Sequence, residues 1–425
     1  MWKNQRRETW IMARHTREGK SLRKLAIRVS IVFSWLCLSG AFAQSPLDLR
    51  GALDAAQTRN LELRAARQRR ALAIAGITTA RQLPNPTISF TAARDTPHEG
   101  VSLDLPVELG NKRGKRIAVA KEEQKSTEIE IAALGRQIRR RTREAFYQSL
   151  SAAKQTEQAK TALDLTSRIH DMAQQRFEAG DVAQLEVLQA EVELARASAD
   201  YETTAQAQRS AEVGLAALLN RRFEEHLVLQ GELEAIPKVA PLNTVIDQAL
   251  QTNGDLLKTS QDLNIEERQL ELAKAQRIPN LGLSAGADFN SPPDFRYGGK
   301  GGLSATLPIF YRDQGEIALS KARLELLRLT VESQRTTVSA QVAAAYYDYA
   351  AKVHQVEQYG QRVVPDTLRL EQMAEDSYQS GKSSLLTLLD TQRRLNEVRK
   401  TYLDALFSAQ GAFAALEEVV GAPLD

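Results

Sequence analysis

Residue types that perform catalysis or hold cofactors are few in this chain and stand far apart. The 425 residues include five His and one Cys, and no HExxH, GxSxG or EF-hand pattern occurs. Four of the His lie dozens of residues apart, without metal-ligand spacing; they are His98, His170, His226 and His354. We therefore predict that the protein is not an enzyme and has neither a cofactor nor a bound metal.

One segment superficially resembles a phosphate-binding loop. Residues 110–115, Gly-Asn-Lys-Arg-Gly-Lys, bring two Gly and three basic residues together. They lack the full spacing and the Ser or Thr of such a loop, and no apolar buried strand leads into a helix there. A nucleotide site is not predicted.

Positive charge is concentrated at the beginning of the chain. The formal net charge is +3, yet residues 1–43 alone contain nine Lys or Arg and two Glu. The rest of the chain is therefore weakly acidic. Binding to nucleic acid requires a clustered basic surface, so nucleic acid is not predicted as a partner.

Residues 1–43 read as a signal peptide. Basic residues precede an apolar run over 29–43, which ends in the small-x-small pattern Ala41-Phe42-Ala43. We predict cleavage between Ala43 and Gln44, and hence export, with Met1 and Met12 both open as the start. A short membrane anchor is the alternative, although about 15 apolar residues fall short of the roughly 20 that span a bilayer. Cys37 is not predicted to be a lipidation site, because Trp35 and Leu36 are larger than the small residues expected before a lipidated Cys. Cleavage after Ala43 would therefore remove this single Cys with the signal peptide.

Five sequence anchors recur in the same order at an offset of 195 to 202 residues. They are Leu83-Pro84-Asn85 with Ile278-Pro279-Asn280, Leu105-Pro106-Val107 with Leu307-Pro308-Ile309, Glu144-Ala145-Phe146-Tyr147 with Ala344-Ala345-Tyr346-Tyr347, Arg176 to Gly180 with Ser377 to Gly381, and Leu218-Leu219-Asn220 with Val419-Val420-Gly421. Such self-similarity indicates a duplicated structural unit. We predict two copies, residues 44–235 and 236–425.

Each copy predicts helix, strand, strand, long helix, turn and long helix. The first helix is expected from Leu47 to Gln82, stopped by Pro84. The next segments alternate apolar and polar residues, which predicts two amphipathic strands per copy. The fold class is thus mainly α with a β part.

The helices that follow the strands are unusually long. About 70 residues from Gly110 to Phe177 contain no Pro. Arg312 to Tyr378 matches them and is interrupted only by Gly315, Gly360 and Pro365. A continuous helix of that length is roughly 100 Å long. Gly180 and Gly381 are expected to reverse the chain direction before the helices Gln184 to Asn220 and Leu385 to Val420.

A four-stranded sheet with one apolar face leaves two open edges, which lipid cannot satisfy. Strands of about eight to ten residues are near the length of tilted transmembrane strands. Two chains would give an eight-stranded barrel whose interior side chains fill it, whereas three would give twelve strands and leave room for a pore. A soluble sheet packed on helices is the alternative.

The leader, the duplicated unit and the Gly-reversed helix pairs resemble the TolC-like outer-membrane efflux proteins. The most family-like stretches are residues 176–190 (RFEAGDVAQLEVLQA) and 378–394 (YQSGKSSLLTLLDTQRR). Residues 108–113 (ELGNKR) are similar to the heavy-metal branch, the CzcC-like cobalt–zinc–cadmium proteins. The resemblance implies a homotrimer with a twelve-stranded barrel in the outer membrane of a Gram-negative bacterium and an α-helical barrel across the periplasm.

The resemblance also implies function and partners. The trimer would be the passive exit duct of a tripartite efflux pump, with a periplasmic adaptor and an inner-membrane proton-driven transporter, for heavy-metal cations. A duct for drugs or small organic molecules, or for type I protein secretion, stays open. A periplasmic coiled-coil scaffold that never inserts is the alternative from another class.

A gate at the periplasmic tip is implied as well. By position in the family pattern, Tyr378 matches an aromatic that contacts an acid matched by Glu186, and Asp390 matches an acid at the entrance. Two positions depart from the pattern, because Ser383 replaces a basic residue and Thr387 replaces an acid. The gate is therefore expected to be less charged than that of drug-exporting relatives.

Two further sets of residues have open interpretations. Arg136, Arg139, Arg140 and Arg143 share one helix face, which is either solvated or a docking surface for the adaptor. Met172 and Met373 occupy equivalent positions, which suits core packing or contact with a soft metal.

Overall fold

The computed structural model describes residues 46–223, 227–291 and 295–424. The predicted signal peptide and its cleavage site, Ala43 and Gln44, lie outside these residues. In the first half of the chain the elements are α1 Leu49–Arg59, α2 Leu61–Arg81, β1 Thr87–Ala92, β2 Glu99–Val107, α3 Lys112–Glu178 and α4 Gln184–Leu218. In the second half they are α5 Leu242–Thr252, α6 Gly254–Gln276, β3 Leu281–Ser291, β4 Phe295–Ala305, α7 Gln314–Gln358, a π-helical turn Tyr359–Val363, α8 Val364–Gln379 and α9 Leu385–Val420. The predicted mostly helical fold with a small sheet is confirmed.

The prediction of one continuous helix from Leu47 to Gln82 is wrong, because the chain breaks at Asn60. Asn60 has non-helical backbone angles, with φ −58° and ψ +125°, and its side-chain oxygen accepts a hydrogen bond from the Leu63 N–H at 3.1 Å. Its amide nitrogen donates to the Leu218 carbonyl at 3.0 Å. Asn is a preferred N-cap, so α2 begins as a new helix tied to the end of α4. Asn253 repeats this arrangement before α6, where its side-chain amide nitrogen donates a hydrogen bond to the Val419 carbonyl at 2.7 Å.

Three of the four predicted strands are confirmed. The fourth is displaced: the alternation of Leu303, Leu307 and Ile309 predicts a strand after a link over residues 291–302, whereas β4 covers Phe295–Ala305 because residues of that expected link, such as Gly299, pair with β3. The four strands form one antiparallel sheet in the order β1-β2-β3-β4. The central pair joins the two halves of the chain, with Leu103 opposite Ala285 and Ser102 opposite Gly286. β1 and β4 are the edge strands of this sheet. Apolar side chains of the sheet, such as Ile88, Phe90 and Leu303, are exposed in the single chain.

The long helices have the predicted length, with one local difference. α3 is 67 residues of continuous helix, roughly 100 Å at 1.5 Å per residue. Its counterpart contains a π-helical turn at Tyr359–Val363, just before Pro365. Pro has no N–H to give to the preceding turn, and a π-helical turn adds one residue. The repeat offset increases from 200 at Glu144 and Ala344 to 201 at Arg176 and Ser377. This increase by one matches the one extra residue in the π-helical turn, which lies between these two positions.

The arginine face of α3 contacts acidic residues of α9. Arg143 is 1% exposed and lies 3.5 Å from a carboxylate oxygen of Glu417 in α9. Arg140 pairs with Glu144 at 2.8 Å and also with Glu418. The face is therefore an ionic contact between the two halves of the chain, buried at Arg143 and half-exposed at Arg139 and Arg140. The interpretation as a simply solvated face is wrong, and the docking interpretation stays a prediction.

Most of the core lies along the helix contacts. One cluster joins α5, α7 and α9 through Val245, Val342 and Phe413. Within the described ranges, which omit 1–45, 224–226, 292–294 and 425, no helix combines the length and apolarity needed to cross a membrane.

Candidate functional site

The two chain reversals have the same backbone geometry. At the first, Gly180 has φ +81°, and the Asp181 N–H donates to the Arg176 carbonyl at 2.8 Å. At the second, Gly381 has φ +71°, and the Lys382 N–H donates to the Ser377 carbonyl at 2.8 Å. Glycine adopts such left-handed angles without steric cost. We call these two turns and the adjoining helix ends the tip.

The tip has its own apolar core, to which helices from both halves contribute. Its members are Ile169 and Ala173 of α3, Ala190 of α4, Ala374 and Tyr378 of α8, and Leu385, Leu388 and Leu389 of α9. Ser384 caps α9, since its hydroxyl accepts from the Thr387 N–H. The short connections and this shared core place the predicted gate residues on adjoining helix ends.

Tyr378 is the central polar residue of the tip core. It is 3% exposed, and the Arg176 guanidinium carbon lies 5.3 Å from its ring centroid. Its hydroxyl has no hydrogen-bond partner within the described ranges, and neither do the buried Oε2 of Glu186 and Oγ of Ser383. The predicted Tyr378–Glu186 hydrogen bond is thus not formed in the single chain. The gate role of these residues stays a prediction.

The other two predicted gate residues lie on the exposed side of α9. Asp390 accepts a hydrogen bond from Arg394 Nε at 2.9 Å, one helical turn further on. Thr387 Oγ1 lies 3.1 Å from the Ser384 hydroxyl, within the N-terminal cap of α9. The Arg394 pairing was not foreseen, although the spacing of four residues could have indicated it.

An ion pair between the halves also escaped the sequence-based prediction. Arg393 of α9 donates to Glu193 of α4, with Nε at 3.1 Å from Oε2, and this hydrogen bond raises the pKa of Arg393. Arg196 lies 3.7 Å from the same carboxylate. Opposite charges at positions 193 and 393, which are 200 residues apart and thus close to one repeat offset, were the available signal.

The residues considered for metal contact are not brought into a ligand set. Met172 packs against the tip core, while Met373 is exposed. Across the described portion of the chain, no three His, Cys, Asp or Glu side chains converge as a metal site would require.

Residues 108–113 form the junction between sheet and helix. Gly110 and Asn111 adopt left-handed angles between β2 and α3. The buried Lys112 donates to Asn280 Oδ1 at 2.7 Å, across to the second half of the chain. Glu108 accepts from Arg116 at 3.0 Å, and this bond holds the pKa of Glu108 below its usual range. The segment that suggested a phosphate loop therefore fixes the sheet to the helices.

A family model described as outer membrane efflux protein matches residues 52–221 and 245–422. The cobalt-zinc-cadmium resistance protein CzcC of Cupriavidus metallidurans is 25% identical over 382 residues, which cover 89% of this chain and 91% of that protein.

Solved structures show the same fold. A crystal structure of CusC superposes with a TM-score of 0.72 at 17% identity, covering 88% of this chain and 92% of CusC. The outer membrane protein VceC of Vibrio cholerae gives a TM-score of 0.70 at 16% identity, covering 89% of this chain and 97% of that structure.

Proposed function

The chain belongs to the outer membrane efflux protein family, and from this premise we propose that it is the exit duct of a tripartite pump for heavy-metal cations. The observation that carries the cargo assignment is the similarity to CzcC, a cobalt-zinc-cadmium resistance protein, across nine-tenths of both chains. A duct needs no catalytic site, since its walls only have to conduct.

We further propose that three copies close one barrel in the outer membrane of a Gram-negative bacterium. Support comes from the four-stranded sheet, whose two edge strands carry exposed apolar side chains. Unpaired strand edges cannot persist in lipid, and three sheets of four strands give a twelve-stranded barrel with an open interior. The roughly 100 Å helices would then form the tunnel across the periplasm.

A duct of this kind works with two further proteins. We propose a periplasmic adaptor that holds the tip and an inner-membrane transporter that supplies cargo and, through protons, the energy. The tip would be the regulated end, with Tyr378, Glu186 and Ser383 in the closing contacts. Asp390 and Thr387 would line the entrance.

The test is metal export in cells. The protein is expressed with a periplasmic adaptor and an inner-membrane metal transporter from the same bacterium, in a Gram-negative host that lacks its own metal exit duct. We expect increased tolerance to Zn²⁺, Cd²⁺ or Co²⁺ and lower cellular metal by mass spectrometry. A matched strain without the transporter should show neither effect. Increased tolerance to organic drugs with unchanged metal content would contradict the cargo assignment and leave the duct assignment standing.

A further inference from the structure

The end of the sheet that joins the helices has an excess of positive charge. We call the segments that connect and flank strands and helices at this end the collar; they are residues 81–86, 108–116, 274–280 and 306–316. The collar contains eight Lys or Arg and three Asp or Glu. The connections at the other end of the sheet, residues 93–98 and 292–294, contain one Arg and two Asp. The basic excess is therefore confined to the helix side of the sheet.

Four arginines supply the part of this charge that no acidic residue compensates. They are Arg81, Arg113, Arg277 and Arg312, and all four are exposed. Within the described ranges none of them forms an ion pair. Other basic residues of the collar do have acidic partners, because Arg116 pairs with Glu108 and Lys115 with Glu271. The four arginines are therefore available to an anionic ligand.

Two of these arginines are held in place by the backbone. Arg113 donates through Nε to the Arg81 carbonyl at 2.7 Å, and Arg277 donates through Nε to the Arg312 carbonyl at 3.0 Å. Each bond uses one of the five N–H groups of a guanidinium. The Nη groups make no further hydrogen bond in the described part of the chain. Each half of the chain thus has one positioned guanidinium whose outer donors can bind a ligand.

Large apolar side chains adjoin the arginines. Ile309, Phe310 and Tyr311 directly precede Arg312 and are 61%, 94% and 55% exposed. Leu83, shortly before β1, is 66% exposed. Exposed aromatic and aliphatic side chains beside basic ones are typical of the boundary between lipid tails and headgroups. The composition of the collar therefore suits a membrane surface better than water.

We propose that the collar binds anionic phospholipid headgroups of the membrane leaflet on the helix side of the sheet. The four arginines bind the phosphate groups, because a guanidinium stays charged and offers paired N–H donors to phosphate oxygens. Phe310 and Ile309 enter the adjoining acyl region. An anionic headgroup is favoured over a zwitterionic one, since only the former has net negative charge to compensate the collar. This inference rests on the proposed membrane assembly and names the lipid class that it recognises.

Native mass spectrometry of the detergent-extracted full chain tests lipid binding. The probes are phosphatidylglycerol, which is anionic, and phosphatidylcholine, which is zwitterionic. We expect wild type to prefer phosphatidylglycerol and to lose this preference at high salt, because ions screen the attraction. The test variant combines Arg81→Gln with Arg312→Gln, since these two side chains make no hydrogen bond within the described residues. Its affinity for phosphatidylglycerol should fall at least about fivefold, which is roughly the contribution of one basic residue at an anionic surface.

The matched control combines Arg209→Gln with Arg335→Gln. Both arginines are exposed, and Arg335 lies about 30 Å along α7 from its first residue at 1.5 Å per residue. This variant should bind phosphatidylglycerol like wild type. Inorganic phosphate serves as a competing probe and should not displace the lipid, because the lipid also contacts the apolar side chains of the collar. Displacement by phosphate would contradict a lipid as the ligand.

The outcomes separate this inference from the proposed function. A trimer that retains both lipids equally, or a collar variant that binds phosphatidylglycerol like wild type, overturns the lipid site and leaves the duct standing. A chain that stays in solution without detergent overturns the membrane placement and the lipid site together. If the collar variant does not assemble, the melting temperature of wild type is compared in nanodiscs of the two lipids. Equal melting temperatures there would overturn the inference.

Discussion

Tyr378 raises the main question at the level of single residues. Its hydroxyl is buried without a hydrogen-bond partner among the described residues, as are an oxygen of Glu186 and the hydroxyl of Ser383. An unsatisfied buried polar group costs about 1–3 kcal/mol. Either assembly supplies partners to these atoms, or the Tyr378 hydroxyl weakens the tip.

The double variant Tyr378→Phe with Glu186→Ala tests the gate assignment. If the two residues bond in the assembled duct, each contact contributes roughly 1.5–3 kcal/mol when charge-assisted. Its loss should then raise single-channel conductance in planar bilayers, with the yield of trimer unchanged. The control Tyr359→Phe removes a hydroxyl far from the tip. Wild-type conductance in the double variant would show that the tip is held by its apolar core, through Leu385 and Leu388.

Glu122 is expected to make the folded state less stable as the pH falls. Its hydrogen bond from Gln261, helped by Lys125, lowers the pKa of Glu122, and burial only partly opposes this. A lowered folded-state pKa means that folding favours the carboxylate. The stabilisation is therefore complete above the unfolded-state pKa of about 4.3 and is lost as the pH falls through the folded-state pKa.

Thermal unfolding between pH 3 and pH 7, followed by circular dichroism in detergent, measures this effect. We expect Glu122→Gln to have a lower melting temperature than wild type at neutral pH. Its melting temperature should also fall less than that of wild type between pH 7 and pH 3. Glu123→Gln, at the exposed neighbouring position, is the control and should behave as wild type. Parallel pH profiles for wild type and Glu122→Gln would show that the hydrogen bond contributes no linked stability.

At the level of elements, each strand has one apolar face and one polar face, and a charged substitution should have different effects on the two. Leu103 and Ser102 are successive residues of β2, so their side chains lie on opposite faces of the sheet; the alternation of the sequence assigns Leu103 to the apolar face and Ser102 to the polar face. If the sheet is part of a membrane barrel, Leu103→Arg places a charge against lipid and should cost about 2–4 kcal/mol near the midplane. Ser102→Arg would face the water-filled interior and should assemble normally. Trimer yield in extracted membranes measures both, and equal losses would contradict the assignment of the faces.

Hydrogen bonds at the ends of the elements hold the sheet and the short helices to the long helices. Lys112 binds Asn280 across the two halves of the chain, and the Asn60 and Asn253 caps tie the short helices to the ends of α4 and α9. Each of these bonds joins segments more than 150 residues apart in sequence. The two Asn caps tie the start of each half to its end, while Lys112 ties one half to the other.

For the whole molecule, the proposed trimer predicts a specific assembly state. Detergent-extracted protein should have the mass of three chains by native mass spectrometry and should resist mild SDS without heating. The physical reason is that closure pairs every strand edge, which lipid cannot satisfy. A cryo-EM reconstruction should show twelve strands. Protein that stays soluble and monomeric without detergent would rule out the barrel.

Much of this protein could be predicted from its sequence, because its elements are long, regular and repeated. Period-two alternation identified β1, β2 and β3, and the Pro-free stretch gave α3 to within two residues of its observed ends. It misplaced β4, because the glycine-rich segment before Leu303 lacks alternating apolar side chains and is held in the sheet only by its pairing with β3. Gly at positions 180 and 381 marked the reversals, since left-handed backbone angles favour glycine. The efflux family followed from the repeated unit and the stretches around these turns.

Side-chain partners were decided only by the tertiary structure. The four arginines of α3 read as a surface stripe, because nothing local shows that Glu417 and Glu418 arrive from almost 280 residues away. The break at Asn60 depends on a carbonyl at the end of α4. The orphaned hydroxyl of Tyr378 likewise depends on what the other helices place beside it. Periodicity fixes which face of an element is apolar, whereas the partner of a polar group is fixed by how distant elements pack.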